Sequence, residues 1–228
     1  MNNDITFTVN EIFASINGEG QLAGELAYFI RLAGCNLKCS YCDTTYAQNF
    51  KAGNDLTISQ IITKLQENPN IKNITLTGGE PLFQKNIIAL LEALANVGYL
   101  INIETNGSVN LKTFLETSFA DKLLFCCDYK LPSSLEEKQM VKENFEMLRT
   151  QDALKFVVGN INDLHRAFEI IENTPHKSFV YLSSVFNRIT PASIVEELLN
   201  WSKTHDAHKI RVQLQLHKYI WDPNLRGV

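Results

Sequence analysis

Apolar runs of strand length alternate with segments of helical period along most of the chain, and this alternation restricts the fold more than any other feature. The strand-length runs are 7–13, 27–32, 74–77, 100–104, 123–127, 154–158, 179–183 and 210–216. Between them lie helices with readable ends. Thr57 followed by Gln60 forms a capping box for a helix reaching about residue 68, where Pro69 closes it. The stretch after Pro81 carries Ile87, Leu90, Leu91 and Leu94 at helical spacing and meets Gly98, which suits a C-terminal cap. Val141, Phe145 and Leu148 mark another helix, as do Leu164, Phe168 and Ile171, and Ile194, Leu198 and Trp201. Strands joined by helices imply a parallel sheet with right-handed crossovers, so the fold class is α/β, either doubly wound or a barrel.

The positions of the polar residues bear on that choice. Thr77-Gly78-Gly79-Glu80-Pro81, Glu104-Thr105-Asn106-Gly107, Asp128-Tyr129-Lys130 and Ser183-Ser184 each follow a predicted strand. In a barrel such segments converge at the carboxyl ends of the strands, where these folds build active sites. Only about six or seven strands follow residue 25, fewer than the eight of a closed barrel. We therefore expect an incomplete (β/α)6-type partial barrel of parallel strands in a single domain over 1–228. The segment 1–25 would supply a strand and loop, and a tail over 217–228 would close the site.

A loop after the second predicted strand holds Cys35, Cys39 and Cys42 in Cys-x3-Cys-x2-Cys spacing. Structural zinc sites are closed by four protein ligands, whereas three thiolates can hold three irons of a 4Fe-4S cluster and leave the fourth open. The other two cysteines, Cys126 and Cys127, end an apolar run and read as buried small hydrophobes. Five cysteines with three in one loop argue against a disulfide framework and for a reducing compartment. At 228 residues and 45% hydrophobic, the chain can bury a substantial core. Its net charge of −4, with no basic run, predicts no nucleic-acid partner. The amino terminus has no leader pattern, and no stretch approaches the ~20 apolar residues of a membrane span. A cytoplasmic protein is expected.

The cysteine loop, followed about 35 residues later by Gly78-Gly79-Glu80-Pro81 at a strand end, resembles the radical S-adenosylmethionine superfamily. The resemblance extends over nearly the whole chain. It implies an open iron chelated by S-adenosylmethionine and a 5′-deoxyadenosyl radical, with no side chain as catalytic acid or base. Glycines at 78 and 79 would let backbone approach the methionine part, and Glu80 or nearby carbonyls would receive its ammonium. A plain strand-to-helix turn with Pro81 at the helix start accounts for the same residues. Tyr41 would lie against adenine. Asp43, Glu104, Thr105, Asn106, Asp128, Lys130 and Ser183 complete the implied cofactor contacts, although capping and turn roles suit such polar residues equally well.

The two ends of the chain resemble one branch of that superfamily. The features are the stretch from Glu11 to Gly20, Arg31 before the first cysteine, Cys42-Asp43-Thr44, and the ending from Gln215 to Trp221 with Arg226-Gly227-Val228. The branch converts 6-carboxy-5,6,7,8-tetrahydropterin to 7-carboxy-7-deazaguanine with loss of ammonia, on the route to queuosine. The resemblance implies that Ile16, Asn17, Gly18 and Glu19 hold the pterin edge and that Arg31 pairs with the substrate carboxylate. Thr77, His217 and the carboxylate of Val228 would add contacts, and Thr44 would touch Mg2+ completed by substrate oxygens and water. An external flavodoxin- or ferredoxin-like electron donor and a homodimer are also implied. Two segments depart from the pattern: Asp128-Tyr129-Lys130 replaces a serine-proline-lysine type, and no proline follows Ser183-Ser184. A glycyl-radical activating enzyme, or a non-catalytic iron-sulfur or zinc module, would also use Cys35, Cys39 and Cys42. The first lacks a reason for the two chain ends, and the second lacks a fourth ligand.

Overall fold

The computed structural model describes residues 5–228, so the reading of residues 1–4 as free of a leader lies outside the described residues. Among the described residues nine strands form one sheet: β1 (Thr6–Ile16), β2 (Leu26–Leu32), β3 (Asn54–Thr57), β4 (Asn73–Gly78), β5 (Leu100–Thr105), β6 (Leu123–Tyr129), β7 (Ala153–Val158), β8 (Phe179–Ser184) and β9 (Ile210–Gln213). Their order is β3-β1-β2-β4-β5-β6-β7-β8-β9, and from β2 through β4 to β9 every pairing is parallel. The sheet is open, with β3 and β9 at its edges, and is not a closed barrel.

The first strand departs from the all-parallel expectation. β1 runs antiparallel to both β2 and β3. The segment 17–25 is shorter than the crossover of a dozen or more residues that a parallel partner requires, so β1 and β2 form a hairpin. β3 went unread because its Asn54 and Asp55 are poor strand formers, and pairing with β1 overrides that preference.

The helices are α1 (Ile58–Leu65), α2 (Ile87–Val97), α3 (Lys112–Leu115), α4 (Glu143–Met147), α5 (Ile161–Asn173), α6 (Pro191–Trp201) and α7 (His217–Ile220). Thr57 and Gln60 close the expected capping box at α1. That helix ends before residue 68, where the Asn68 amide instead donates to the Tyr28 hydroxyl at 2.7 Å. After Pro81 a single tight turn intervenes before α2, because Asn86 takes a left-handed φ of 62°. Gly98 caps α2 at φ 101°. Among the described residues no helix is long and apolar enough to cross a membrane.

Period-two alternation divides the parallel strands into two faces. Ile30, Leu76, Ile103, Phe125, Phe156 and Leu182 pack with the helices, including Leu90 and Leu94 of α2 and Leu164 and Phe168 of α5. Full burial of such side chains contributes about 1.5–3 kcal/mol each. Arg31, Thr75, Asn102, Glu104, Asp128, Lys155 and Ser183, at the alternate positions of the same strands, occupy the opposite face and give it a polar lining.

The loop after β1 crosses this polar face. The Thr75 hydroxyl donates to Asn17 Oδ1, and Gln21 Nε2 donates to Asn102 Oδ1 at 3.2 Å. At the far side, the Gly20 amide donates to Gln213 Oε1 (2.8 Å) and Gln213 Nε2 donates to the Gly20 carbonyl (3.1 Å). β9 stops at Gln213, short of the expected 216, because the Leu216 amide turns to the Gly18 carbonyl at 3.1 Å. Replacing Gln213 with Ala removes two hydrogen bonds worth about 1 kcal/mol each. Amide hydrogen exchange at Gly20 should then accelerate by about tenfold or more, with exchange in α2 unchanged.

Candidate active site

The cysteine loop leaves the end of β2 and is fixed by backbone on both sides. The Gly34 amide donates to the Ala47 carbonyl (2.7 Å), Cys35 to Gln48 (3.1 Å) and Ser40 to Ser134 (3.0 Å), while the Lys38 amide donates to Glu136 Oε1 (2.7 Å). Cys35, Cys39 and Cys42 are half-buried and line one cavity of ≈ 280 Å³. Two donors face the first sulfur: the Leu37 amide at 3.4 Å and Asn106 Nδ2 at 3.7 Å from Cys35 Sγ. Burial raises the Cys35 thiol, and it pushes Cys39 up to about 11. Metal loading must therefore displace protons from these thiols. Cys126 and Cys127 are fully buried on β6, as their apolar setting predicts.

Gly78 and Gly79 press backbone directly against the root of this loop. The Gly79 amide donates to the Leu32 carbonyl (3.0 Å) and the Glu80 amide to the Gly34 carbonyl (2.9 Å). A Cβ at Gly78 would collide with the Leu32 backbone, one at Gly79 would collide with the Gly34 carbonyl, and Gly78 has φ 145°. Both glycines still line the cavity. Three thiols on one pinned loop, with N–H donors at sulfur and bare backbone opposite, fit a cluster held by three cysteines.

Glu80 has a different placement from the one its sequence position suggests. It is fully buried and absent from the cavity wall. Its Oε1 accepts from the Leu82 amide (3.0 Å) and the Thr105 hydroxyl (2.8 Å), and its Oε2 from the Asn106 amide (2.6 Å). The carboxylate thus ties the ends of β4 and β5 together. Burial pushes its pKa up to about 7 against the pull of those donors.

The remaining sequence-predicted residues gather around the same cavity. Ile16, Asn17, Gly18, Glu19, Arg31, Tyr41, Asp43, Thr44, Thr77, Glu104, Thr105, Asn106, Asp128, Lys130, His217 and Val228 all line it. Ser183 lies just behind, its hydroxyl 3.5 Å from Glu19 Oε1. The bulge in β1 between Val9 and Glu11 brings Glu11 opposite Arg31 on β2. Glu11 Oε1 then accepts from Arg31 Nε at 2.6 Å and from the Tyr46 hydroxyl at 3.1 Å. Arg226 stacks over Tyr46 at 3.6 Å, joining the carboxyl-terminal segment to this group. His217 opens α7 against Gly18, and burial lowers its pKa, which favours the neutral imidazole.

Thr44 Oγ1 donates to Asp43 Oδ1 at 2.9 Å, and Lys218 Nζ meets Asp43 Oδ2 at 3.0 Å. Among the described residues no three His, Cys, Asp or Glu side chains gather for a single ion. Three thiols each serving a different iron need not meet at one point. For Mg2+, Thr44 and Asp43 leave most of a six-oxygen shell to substrate and water.

Sequence reading missed Lys155, which lines the cavity from the middle of β7. The signal was there: a lysine within the run Ala153-Leu154-Lys155-Phe156-Val157-Val158, where a strand otherwise apolar on both faces has one charge. Its ammonium lies 3.1 Å from Glu104 Oε2, 3.4 Å from Glu19 Oε2 and 3.4 Å from Asp128 Oδ1. Burial opposes its charge, but Asp128, Glu104 and Glu19 together raise its pKa well above the ordinary lysine value.

A three-cysteine loop at the carboxyl ends of an open parallel sheet defines a radical S-adenosylmethionine protein, and the radical SAM superfamily model matches residues 29–123. Membership of that superfamily implies a 4Fe-4S cluster and S-adenosylmethionine. The chain is 44% identical to the 7-carboxy-7-deazaguanine synthase of Clostridium acetobutylicum, over 98% of this chain and 100% of that protein. It is 34% identical to the enzyme of the same name from Leptospira interrogans, over 97% and 98%. The crystal structure of QueE from Escherichia coli superimposes with a TM-score of 0.70, at 19% identity over 92% and 94% of the two chains, and shares the fold. The chain belongs to the 7-carboxy-7-deazaguanine synthase family and is a radical SAM enzyme.

The buried Glu80 yields a pH prediction. Its folded pKa lies above its unfolded value, so its contribution to stability is complete below about pH 4.5 and is lost as pH rises through about 7. In cluster-free protein, the stability advantage of wild type over Glu80→Gln should therefore shrink from pH 5 to pH 8, measured by urea unfolding. An advantage that grows over that range would contradict the assignment.

Proposed function

We propose that the chain converts 6-carboxy-5,6,7,8-tetrahydropterin to 7-carboxy-7-deazaguanine with loss of ammonia. The observation that carries this reading is one cavity lined at once by the three-cysteine loop and by Arg31, Glu19, His217 and Val228. The product named for the relatives supports it. When bound, the cluster and S-adenosylmethionine supply one-electron reductive cleavage and hydrogen-atom abstraction, chemistry that belongs to the cofactors.

The protein's part is binding and orientation. Cys35, Cys39 and Cys42 hold the cluster, and Gly78 and Gly79 leave room for the methionine part. Glu80, with both oxygens engaged inside the protein, positions the Thr105 and Asn106 segment beside Tyr41, Asp43, Glu104, Asp128, Lys130 and Ser183 on the cofactor side. Arg31 presents its terminal guanidinium nitrogens to the substrate carboxylate while Glu11 holds Nε and sets the plane of the fork. Ile16, Asn17, Gly18, Glu19 and Thr77 take the pterin edge. Neutral His217 and the Val228 carboxylate face the same ligand. The loop after β1 and the segment 217–228 shut out water within one catalytic unit. Thr44 contributes to Mg2+ only once substrate oxygens are present. A flavodoxin- or ferredoxin-like donor, a homodimer and a cytoplasmic location complete the reading.

Anaerobically reconstituted protein given the carboxy-tetrahydropterin, S-adenosylmethionine, reductant and Mg2+ should form 7-carboxy-7-deazaguanine. Cleavage of S-adenosylmethionine without conversion of that pterin would overturn the substrate. Arg31→Ala should raise KM for the pterin by about tenfold or more, the loss of a charged hydrogen bond worth about 1.5–3 kcal/mol, at unchanged iron content. Mg2+ titrated into cluster-loaded protein should bind with the pterin present and not without it. Equal binding in both arms would remove the substrate from the ion's shell.

A further inference from the structure

We propose that Lys155 is a positioning residue that couples the pterin subsite to the S-adenosylmethionine subsite. The inference rests on the functional reading above and concerns a side chain with no role in it. The three carboxylates around Lys155 come from three different places: Glu19 from the loop after β1, Glu104 from β5 and Asp128 from β6. Glu19 belongs to the pterin side, whereas Glu104 and Asp128 belong to the cofactor side. One ammonium therefore joins groups that would contact two separate ligands.

The geometry makes this joint adjustable. Charge-assisted N–H···O contacts settle near 2.7–2.9 Å when optimised. All three Lys155 contacts are longer, between 3.1 and 3.4 Å. Asp128 shows both regimes: Lys130 grips its Oδ2 at 2.6 Å, while its buried Oδ1 meets Lys155 as an ion pair without a completed hydrogen bond. Lys155 is thus stretched among three acceptors and optimal with none.

The side chain cannot escape to water, because its exposure is 4% and it projects from the middle of β7. Across the register, Lys155 pairs with Asp128 on one side and Tyr181 on the other, so its backbone is fixed as well. Of the three carboxylates, Asp128 is already held by Lys130 at 2.6 Å, which leaves Glu19 and Glu104 as the partners that can shift. Glu19 sits in a loop whose backbone is tied at Gly18 and Gly20, and its carboxylate meets the Ser183 hydroxyl at 3.5 Å and Lys155 at 3.4 Å, both at the long end of hydrogen bonding. A pterin N–H donated to Glu19 draws that carboxylate toward the ligand and releases part of the ammonium. Lys155 then closes on Glu104 and Asp128 and sets them for the hydroxyl groups of the second ligand. Binding of the pterin thereby tightens binding of S-adenosylmethionine, and linkage requires the converse by the same factor.

The test uses protein carrying the oxidised cluster, so that both ligands bind without reaction. S-adenosylmethionine affinity is measured by calorimetry with and without saturating pterin. Wild type should bind it about fivefold or more tighter with the pterin present. Lys155→Met should reduce that ratio to about one, and Lys155→Arg should restore it in part. Iron content and thermal midpoint are followed alongside, and Lys155→Gln replaces the Met variant should that fail to fold. A merely structural lysine would lower stability or both affinities while leaving the ratio intact, and that result overturns the proposal. Wild type that binds both ligands with no coupling overturns it too. Wild type that does not bind the pterin at all overturns the substrate reading, and the coupling with it.

Discussion

Backbone lies on backbone where β4 ends, and the site is built around that contact. Gly78 and Gly79 carry no side chains to hold the root of the cysteine loop away, so the Leu32 and Gly34 carbonyls accept directly from the amides of Gly79 and Glu80. The three thiols, the end of β4 and, through Glu80, the end of β5 become one rigid rim. A larger residue at either glycine would separate the loop from the strand that faces it.

Charge on the inner face follows a second rule. Ion pairs this deep contribute little net stability, because desolvation consumes most of the Coulombic gain. Lys130 and Lys155 set against Glu19, Glu104 and Asp128 therefore make poor sense as a stability device, and the helix-side core of Ile, Leu and Phe already performs that task. Preorganised charges aimed at polar ligands do justify the cost.

Much of this was legible in the chain. The strand and helix pattern and the capping box at Thr57 follow from local chemistry that packing did not override. The cysteine spacing and the residues shared with a known branch located the cavity. Other features depended on information that spacing does not carry. β3 is a strand only because β1 offers it partners. The antiparallel β1 could have been inferred from the short segment before β2. Glu80 looked like a ligand contact because an acid beside two glycines reads the same whether it faces a cavity or caps a neighbouring strand; only its three donors distinguish the cases. Lys155 was passed over because it sits within an apolar run read as core.

The hairpin of β1 and β2 has a further consequence. Because its strands run in opposite directions, the loop that crosses the polar face leaves one end of it and the cysteine loop leaves the other. Floor and roof of the cavity are thus two outlets of one hairpin, whose register places Ile16 opposite Leu26 and Val9 opposite Leu32. Pocket side chains line the cavity, but the two loops that bound it are joined by a hairpin that mostly lies outside the pocket.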